Sequence, residues 1–268
     1  MQVLNMSEIL PLVKKQYLVN LAREGRREDG RGLDEYRPID IQVNLVDKAE
    51  GSAQVSLGGT KVLAGIKTDV GEPYPDTPDN GVMITGAELI PMASPEFEAG
   101  PPGEVAVELA RVVDRGIRES QALDTKALCV KPGELVRLVF VDLHILDYDG
   151  NLIDASGIAA MAALATAKMP LLDEDGKPTE EYTKLPISDL AVPCTFVKIE
   201  DVLLLDPSLD EEKALDTRLT VATDQEEKVC AMQKGDIGGF TLDEIMWAVR
   251  LSKVKGQEIR ALIKETIK

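Results

Sequence analysis

Between Ser156 and Met169 the chain reads as a helix with alanine on every face, interrupted only by Ser156, Gly157, Ile158, Met161, Leu164, Thr166 and Lys168. A helix without a polar side has no place at a surface, and small side chains let it lie tight between layers of sheet and helix. The rest of the chain must therefore supply those layers. Ahead of this helix runs Asp149-Gly150-Asn151-Leu152-Ile153-Asp154-Ala155-Ser156-Gly157, where a strand pattern ends and turns. Such a turn aims unpaired backbone N–H groups and the positive end of the helix dipole at one point, the arrangement with which proteins hold phosphate. Yet Leu152 and Ile153 offer an anion neither a hydroxyl nor a guanidinium. The scaffold of an anion site is present and its chemistry is missing.

The flanking patterns supply the layers. Residues 7–25 read as a helix capped by Ser7, with Ile9, Leu10, Val13, Tyr17, Leu18 and Leu21 at helical spacing and Gly25 as its stop. Three strand-like runs follow at 38–46, 51–57 and 61–70, the last two joined by a Gly58-Gly59-Thr60 turn. A further strand is expected at 81–92, a helix at 104–123 and a long strand at 135–146. The polar stretch 173–185, with Pro178, reads as a surface connector. Beyond it lie strand patterns at 192–199, 202–206, 217–223 and 228–234, then a helix whose Thr241 and Glu244 form a capping box. Strands followed by a helix, used twice, predict an α+β fold with helices gathered on one side of mixed or antiparallel sheets. The expected organisation is a helical extension over 1–25, a first half over 26–172, a connector over 173–189 and a second half over 190–268.

With 47 acidic and 30 basic residues the net charge is −17, so the average field repels nucleic acid and any RNA contact needs a local basic patch. One candidate exists. On the 104–123 helix Val105, Leu109, Val112, Val113 and Ile117 form an apolar arc, and Arg111, Arg115 and Arg118 line the opposite face. The same spacing also permits surface ion pairs Glu108–Arg111, Asp114–Arg118 and Arg115–Glu119, worth ~0.2 to 0.5 kcal/mol each. His144 is the single histidine and lies mid-strand, so no Ser-His-Asp or Cys-His arrangement can be built. Cys129, Cys194 and Cys230 are odd in number and contain no CxxC, which argues against disulfides and zinc and for buried thiols. Gly58-Gly59 reads as turn geometry, since no helix follows it, and Asp210-Glu211-Glu212 as a solvated turn with no metal. The chain has no run of ~18 uncharged apolar residues and no secretory signal, so it reads as a soluble cytoplasmic protein without a membrane partner.

Three motifs in order carry a resemblance. Arg27-x-Asp29-Gly30-Arg31 precedes Arg37-Pro38; Glu108-Leu109-Ala110-Arg111-Val112-Val113-Asp114-Arg115 follows on the central helix; Leu205-Asp206-Pro207 with Asp210-Glu211-Glu212 comes last. Together they resemble the RNase PH family of phosphorolytic 3′-to-5′ exoribonucleases, in the branch that contains the exosome ring subunits, from about Arg27 to the last helix. The resemblance implies an RNase PH-like α+β fold of two similar βαβ-type halves with helices on mixed sheets, as in the second domain of ribosomal protein S5. It also implies a hexameric ring of three heterodimers with a catalytic RNase PH-like paralogue, around a channel for single-stranded RNA and beneath RNA-binding cap proteins.

Two departures from the family pattern bear on activity. Active members carry a Gly-(Ser/Thr)-Arg phosphate grip after the Asp-Gly turn, where this chain has Asn151, Leu152 and Ile153. Where they carry an aspartate as general acid or metal ligand, this chain has Arg218, with Asp216 two residues earlier. A guanidinium neither donates a proton at neutral pH nor binds a divalent cation. The resemblance thus implies a chain with no catalytic residue and no cofactor of its own, which helps to structure the active site of the partner that uses inorganic phosphate, and with Arg111, Arg115 and Arg118 facing RNA. Two alternatives stay open: an active exoribonuclease that uses Asp216, or a scaffold that never touches RNA. Gly30 is expected in an unusual backbone conformation, with Asp29 and Arg31 at a subunit interface.

Overall fold

The computed structural model describes residues 6–173 and 176–268, with side chains from Val13 onward, so the side chains of Ser7, the expected cap, and of Ile9 and Leu10 lie outside the description. Helix α1 (Met6–Arg23) comes first, then strands β1 (Ile39–Val43), β2 (Gly51–Leu57), β3 (Thr60–Gly71) and β4 (Val82–Leu89). Next are α2 (Glu104–Glu119), β5 (Cys129–Lys131), β6 (Leu135–Asp147) and α3 (Leu152–Thr166). Strands β7 (Lys168–Leu172) and β8 (Pro178–Lys184) lead to β9 (Val192–Ile199), β10 (Val202–Leu205), α4 (Leu209–Ala214), β11 (Thr217–Thr223), β12 (Val229–Gly235) and α5 (Leu242–Thr266). The first sheet runs β1-β2-β3-β6-β4, with β5 also on β6, and is mixed because β4 lies parallel to β6. The second runs β10-β9-β11-β12 and is antiparallel throughout.

Helix α3 joins the two sheets. It packs on β2 and β3 of the first and on β9 of the second, and every residue from Leu152 to Leu164 is buried. Glycine and alanine make that approach possible. A Cβ on Gly51 of β2 would lie 2.7 Å from the Ala167 Cβ, and one on Gly157 of α3 would lie 2.5 Å from the Pro193 Cγ at the start of β9. Burial of Ile158, Met161 and Leu164 with Val55, Ile66, Val141 and Val192 builds the main core around this helix.

Several expectations are corrected. The connector expected at 173–185 contains β8, which pairs with β7 as a two-stranded ribbon. Neither strand has a buried face, so ladder hydrogen bonds form without the apolar alternation that would announce them. The Asp210-Glu211-Glu212 run is helical, not a solvated turn: Ser208 and Glu211 form a capping box, and Glu211 is buried. Helix α3 starts at Leu152, so Leu152 and Ile153 occupy its first turn, not a preceding loop. Val105 of α2 is exposed, outside the apolar arc assigned to it. Of the three thiols only Cys194 is buried, and burial pushes it up to about 12; Cys129 and Cys230 are half-buried. His144 lies on β6 with its ring 3.3 Å from Glu88.

Candidate nucleic-acid interface and the pocket beside it

Helix α2 turns Ala106, Leu109, Ala110, Val113 and Ile117 inward, which leaves Arg111, Arg115 and Arg118 exposed along its outer side. They line an open groove of about 880 Å³ to which Thr85 of β4 and Gln233 of β12 also contribute, together with Glu104, Glu108 and Asp114 of α2. The three guanidiniums are not equivalent. Arg118 donates from Nε to Asp114 Oδ2 at 3.1 Å and from Nη2 to Asp114 Oδ1 at 3.1 Å and the Met83 carbonyl at 3.2 Å. That hydrogen-bonded carboxylate also raises the Arg118 pKa. Arg111 and Arg115 form no ion pair among the described residues. The pairs that spacing allows between Glu108 and Arg111 and between Arg115 and Glu119 do not form; Glu108 faces Arg218 instead, whose Nη2 donates to Glu108 Oε1 at 2.6 Å.

That ion pair borders a second, small cavity of about 60 Å³ lined by Leu152, Ile153, Tyr148, Glu212, Glu108 and Arg218. Here the structure brings together the residues that break the family pattern. Asn151 is left-handed, at φ 56° and ψ 51°, and caps α3 by accepting from the Asp154 N–H. Its own N–H donates to Glu212 Oε1 at 2.8 Å, so a carboxylate of the chain holds a backbone donor at the start of the helix. Tyr148 Oη donates to Glu212 Oε2 at 2.8 Å, and burial raises both the tyrosine and the glutamate pKa. Asp216 is elsewhere: its Oδ1 accepts from Lys15 Nζ at 2.6 Å and its Oδ2 from the Glu200 N–H at 2.6 Å, and the lysine's hydrogen bond lowers its pKa. Arg218 is in the pocket, and Asp216 does not line it.

The turn is fixed by a cluster of arginines that includes Arg31, which with Asp29 is the charge pair expected at a subunit interface; Arg31 Nε donates to Asp29 Oδ2 at 2.6 Å. Gly30 has φ 85°, as its turn requires, but the arginines around it are engaged within the chain. Arg37 donates from Nε and Nη2 to Asp206 at 3.0 and 2.8 Å, Arg31 Nη1 donates to Asp206 Oδ2 at 2.9 Å, and Asn151 Nδ2 donates to Asp206 Oδ1 at 2.7 Å. Arg27 is buried on Glu211 and on the carbonyls of Leu205 and Asp206. Beside them Asp154 accepts from Tyr36 Oη at 2.7 Å, Thr195 N at 2.9 Å and Thr195 Oγ1 at 2.7 Å. Sequence reasoning missed Tyr148, Glu211 and Glu212; only the Ser208-x-x-Glu211 spacing could have signalled that the acidic run was a helix. Among the described residues no three His, Cys, Asp or Glu side chains form a group able to hold a metal ion.

Residues 35–170 match the family model described as 3′ exoribonuclease family, domain 1, and residues 189–255 match domain 2 of that family. The chain is similar to "Exosome complex component Rrp42" of Pyrococcus horikoshii, 52% identical over 267 residues that cover 98% of this chain and 97% of that protein. It is also similar to a chain of a solved structure described as the Archaeoglobus fulgidus exosome with RNA bound to the active site, with a TM-score of 0.89 and 47% identity over 94% of this chain and 98% of that one. A chain of a solved archaeal exosome core gives a TM-score of 0.86 at 44% identity, covering 96% of this chain and 98% of that one.

Proposed function

The chain belongs to the RNase PH-type 3′ exoribonuclease family, and from that premise we propose that it is a non-catalytic subunit of an exosome ring that supplies RNA contacts to a catalytic RNase PH-like partner. Relatives named as exosome components and the likeness to an RNA-bound exosome support the complex. The observation that carries the division of labour is the contrast between two neighbouring sites. Arg111 and Arg115 are exposed in a groove and form no ion pair among the described residues, while the small cavity beside them is lined by hydrocarbon and by charges already engaged within the chain.

Phosphorolysis places inorganic phosphate beside the scissile bond and offsets its charge with fixed donors. At the corresponding turn Leu152 and Ile153 present hydrocarbon, Glu212 takes the Asn151 N–H, and Arg218 is committed to Glu108. A phosphate there would meet a carboxylate and no free guanidinium. We assign the use of phosphate to the partner, in a ring of three heterodimers that threads single-stranded RNA and carries RNA-binding caps. The reading in which Asp216 acts as acid has no geometric support, since that carboxylate is tied to Lys15 and the Glu200 N–H.

The test is RNA binding by the assembled complex. Replacing Arg111 and Arg115 with alanine removes two phosphate contacts, so affinity for oligo(A) falls about tenfold or more and the salt slope flattens by about 1.4. Unchanged affinity and slope in an intact complex would instead favour a scaffold that never touches RNA.

A further inference from the structure

Arg218 stands where the resemblance leads one to expect an acid, and the structure gives it work of a different kind. It lies on β11 in register with Gly235 of β12, and a Cβ at 235 would lie 2.9 Å from its Nη2. The glycine leaves a slot for the guanidinium, whose side chain is 19% exposed. From that slot it reaches Glu108 of α2 at 2.6 Å. The other charge facing it in the pocket is Glu212, already held by Tyr148 and the Asn151 N–H.

Glu108 is three residues before Arg111 on the same side of α2, and both line the groove. At that spacing a carboxylate on a helix can reach the guanidinium and compete for it, although the Arg115 and Glu119 side chains, four apart on the same helix, do not pair. In the structure the Glu108–Arg111 pair is absent and the carboxylate faces Arg218 instead. We infer that Arg218 is a positioning residue for RNA binding: by holding Glu108 it keeps a carboxylate off Arg111 and leaves that guanidinium open to an RNA phosphate. This rests on the reading of the groove as an RNA-binding surface.

The inference is tested in the complex assembled with the catalytic partner, by fluorescence anisotropy of a labelled oligo(A) across a salt series. Arg218→Gln frees Glu108, so affinity falls about 1.5- to twofold, the competition that one helix-surface ion pair can exert, and the salt slope flattens slightly. Adding Glu108→Gln removes the competing carboxylate, and the double variant recovers most of the affinity although the ion pair is just as broken. A residue that merely stabilised the fold would show no such rescue. If Arg218→Gln does not assemble, Arg218→Met keeps the stem in the slot and gives the same comparison. Wild-type affinity for the Arg218 variant, or a double variant no better than the single, overturns the inference. Arg111→Ala with Arg115→Ala in the same assay separates the two levels. If that variant loses affinity while Arg218→Gln keeps it, only the role of Arg218 falls; if both keep it, the RNA-binding reading falls as well.

Discussion

Asp206 shows how much of this chain is decided by single side chains. It is fully buried and accepts from Arg31, Arg37 and Asn151. Asp206→Ala removes the buried counter-charge and leaves Arg31 only the exposed Asp29 and Arg37 only Asp149 at 3.5 Å, so chemical denaturation is expected to show a loss of about 3 kcal/mol. Asp154 carries a pH signature. Burial pushes its carboxyl up from an ordinary 3.8 to about 6, against the hydrogen bonds from Asn151, Tyr36 and Thr195. The folded state thus binds this proton more tightly, and the resulting stabilisation is complete below about pH 3.8 and lost as pH rises through about 6. The stability of wild type relative to Asp154→Asn therefore declines across that window, by on the order of 3 kcal/mol, in urea titrations at stepped pH. A flat difference would mean that the four donors cancel the cost of burial. At this scale the sequence was informative where identity alone speaks: the unbonded side chains of Leu152 and Ile153 and the outward stripe of arginines are visible in it. The pairing of Glu108 with Arg218, 110 residues apart, is not, because it depends on how closely α2 approaches β11.

Among the elements, α3 was the most legible, since alanine on all faces admits only a helix enclosed by other layers. Its start was misplaced because Asn151 adopts a left-handed conformation that composition does not announce, and two aliphatic residues then enter the first turn. The β7–β8 ribbon was illegible for the opposite reason: strands without a buried face carry no periodic signal. The contact of α3 with the second sheet yields a test. Gly157→Ala drives a Cβ against Pro193, and overpacking of this kind destabilises by about 1 to 3 kcal/mol, seen as a lowered Tm with the secondary structure retained. Helix α1 is attached through Leu18, Val19 and Ala22 on β9 and β10, with Lys14 and Lys15 reaching Asp210 and Asp216. Its removal would uncover that apolar cluster, and self-association by light scattering is the expected consequence.

For the whole molecule, a net charge of −17 and the proposed RNA-binding groove are compatible because the groove is local. The average field weakens non-specific attraction, and in a groove that Glu104, Glu108 and Asp114 also line, attraction to a phosphate rests on Arg111 and Arg115, which form no ion pair among the described residues. The proposed loss of phosphorolytic chemistry matches a glycine-led turn with a helix behind it, at whose start the chain's own carboxylate takes the Asn151 N–H beside Leu152 and Ile153. The retained turn is explained by the arginine hub that ties it to both halves. The measurement closest to the central claim is phosphate-dependent release of nucleoside diphosphate from oligo(A) at saturating inorganic phosphate, by the chain alone and with its catalytic partner. The account expects no release above background from the chain alone and release once the partner is added. Phosphate-dependent release by the chain alone would contradict it.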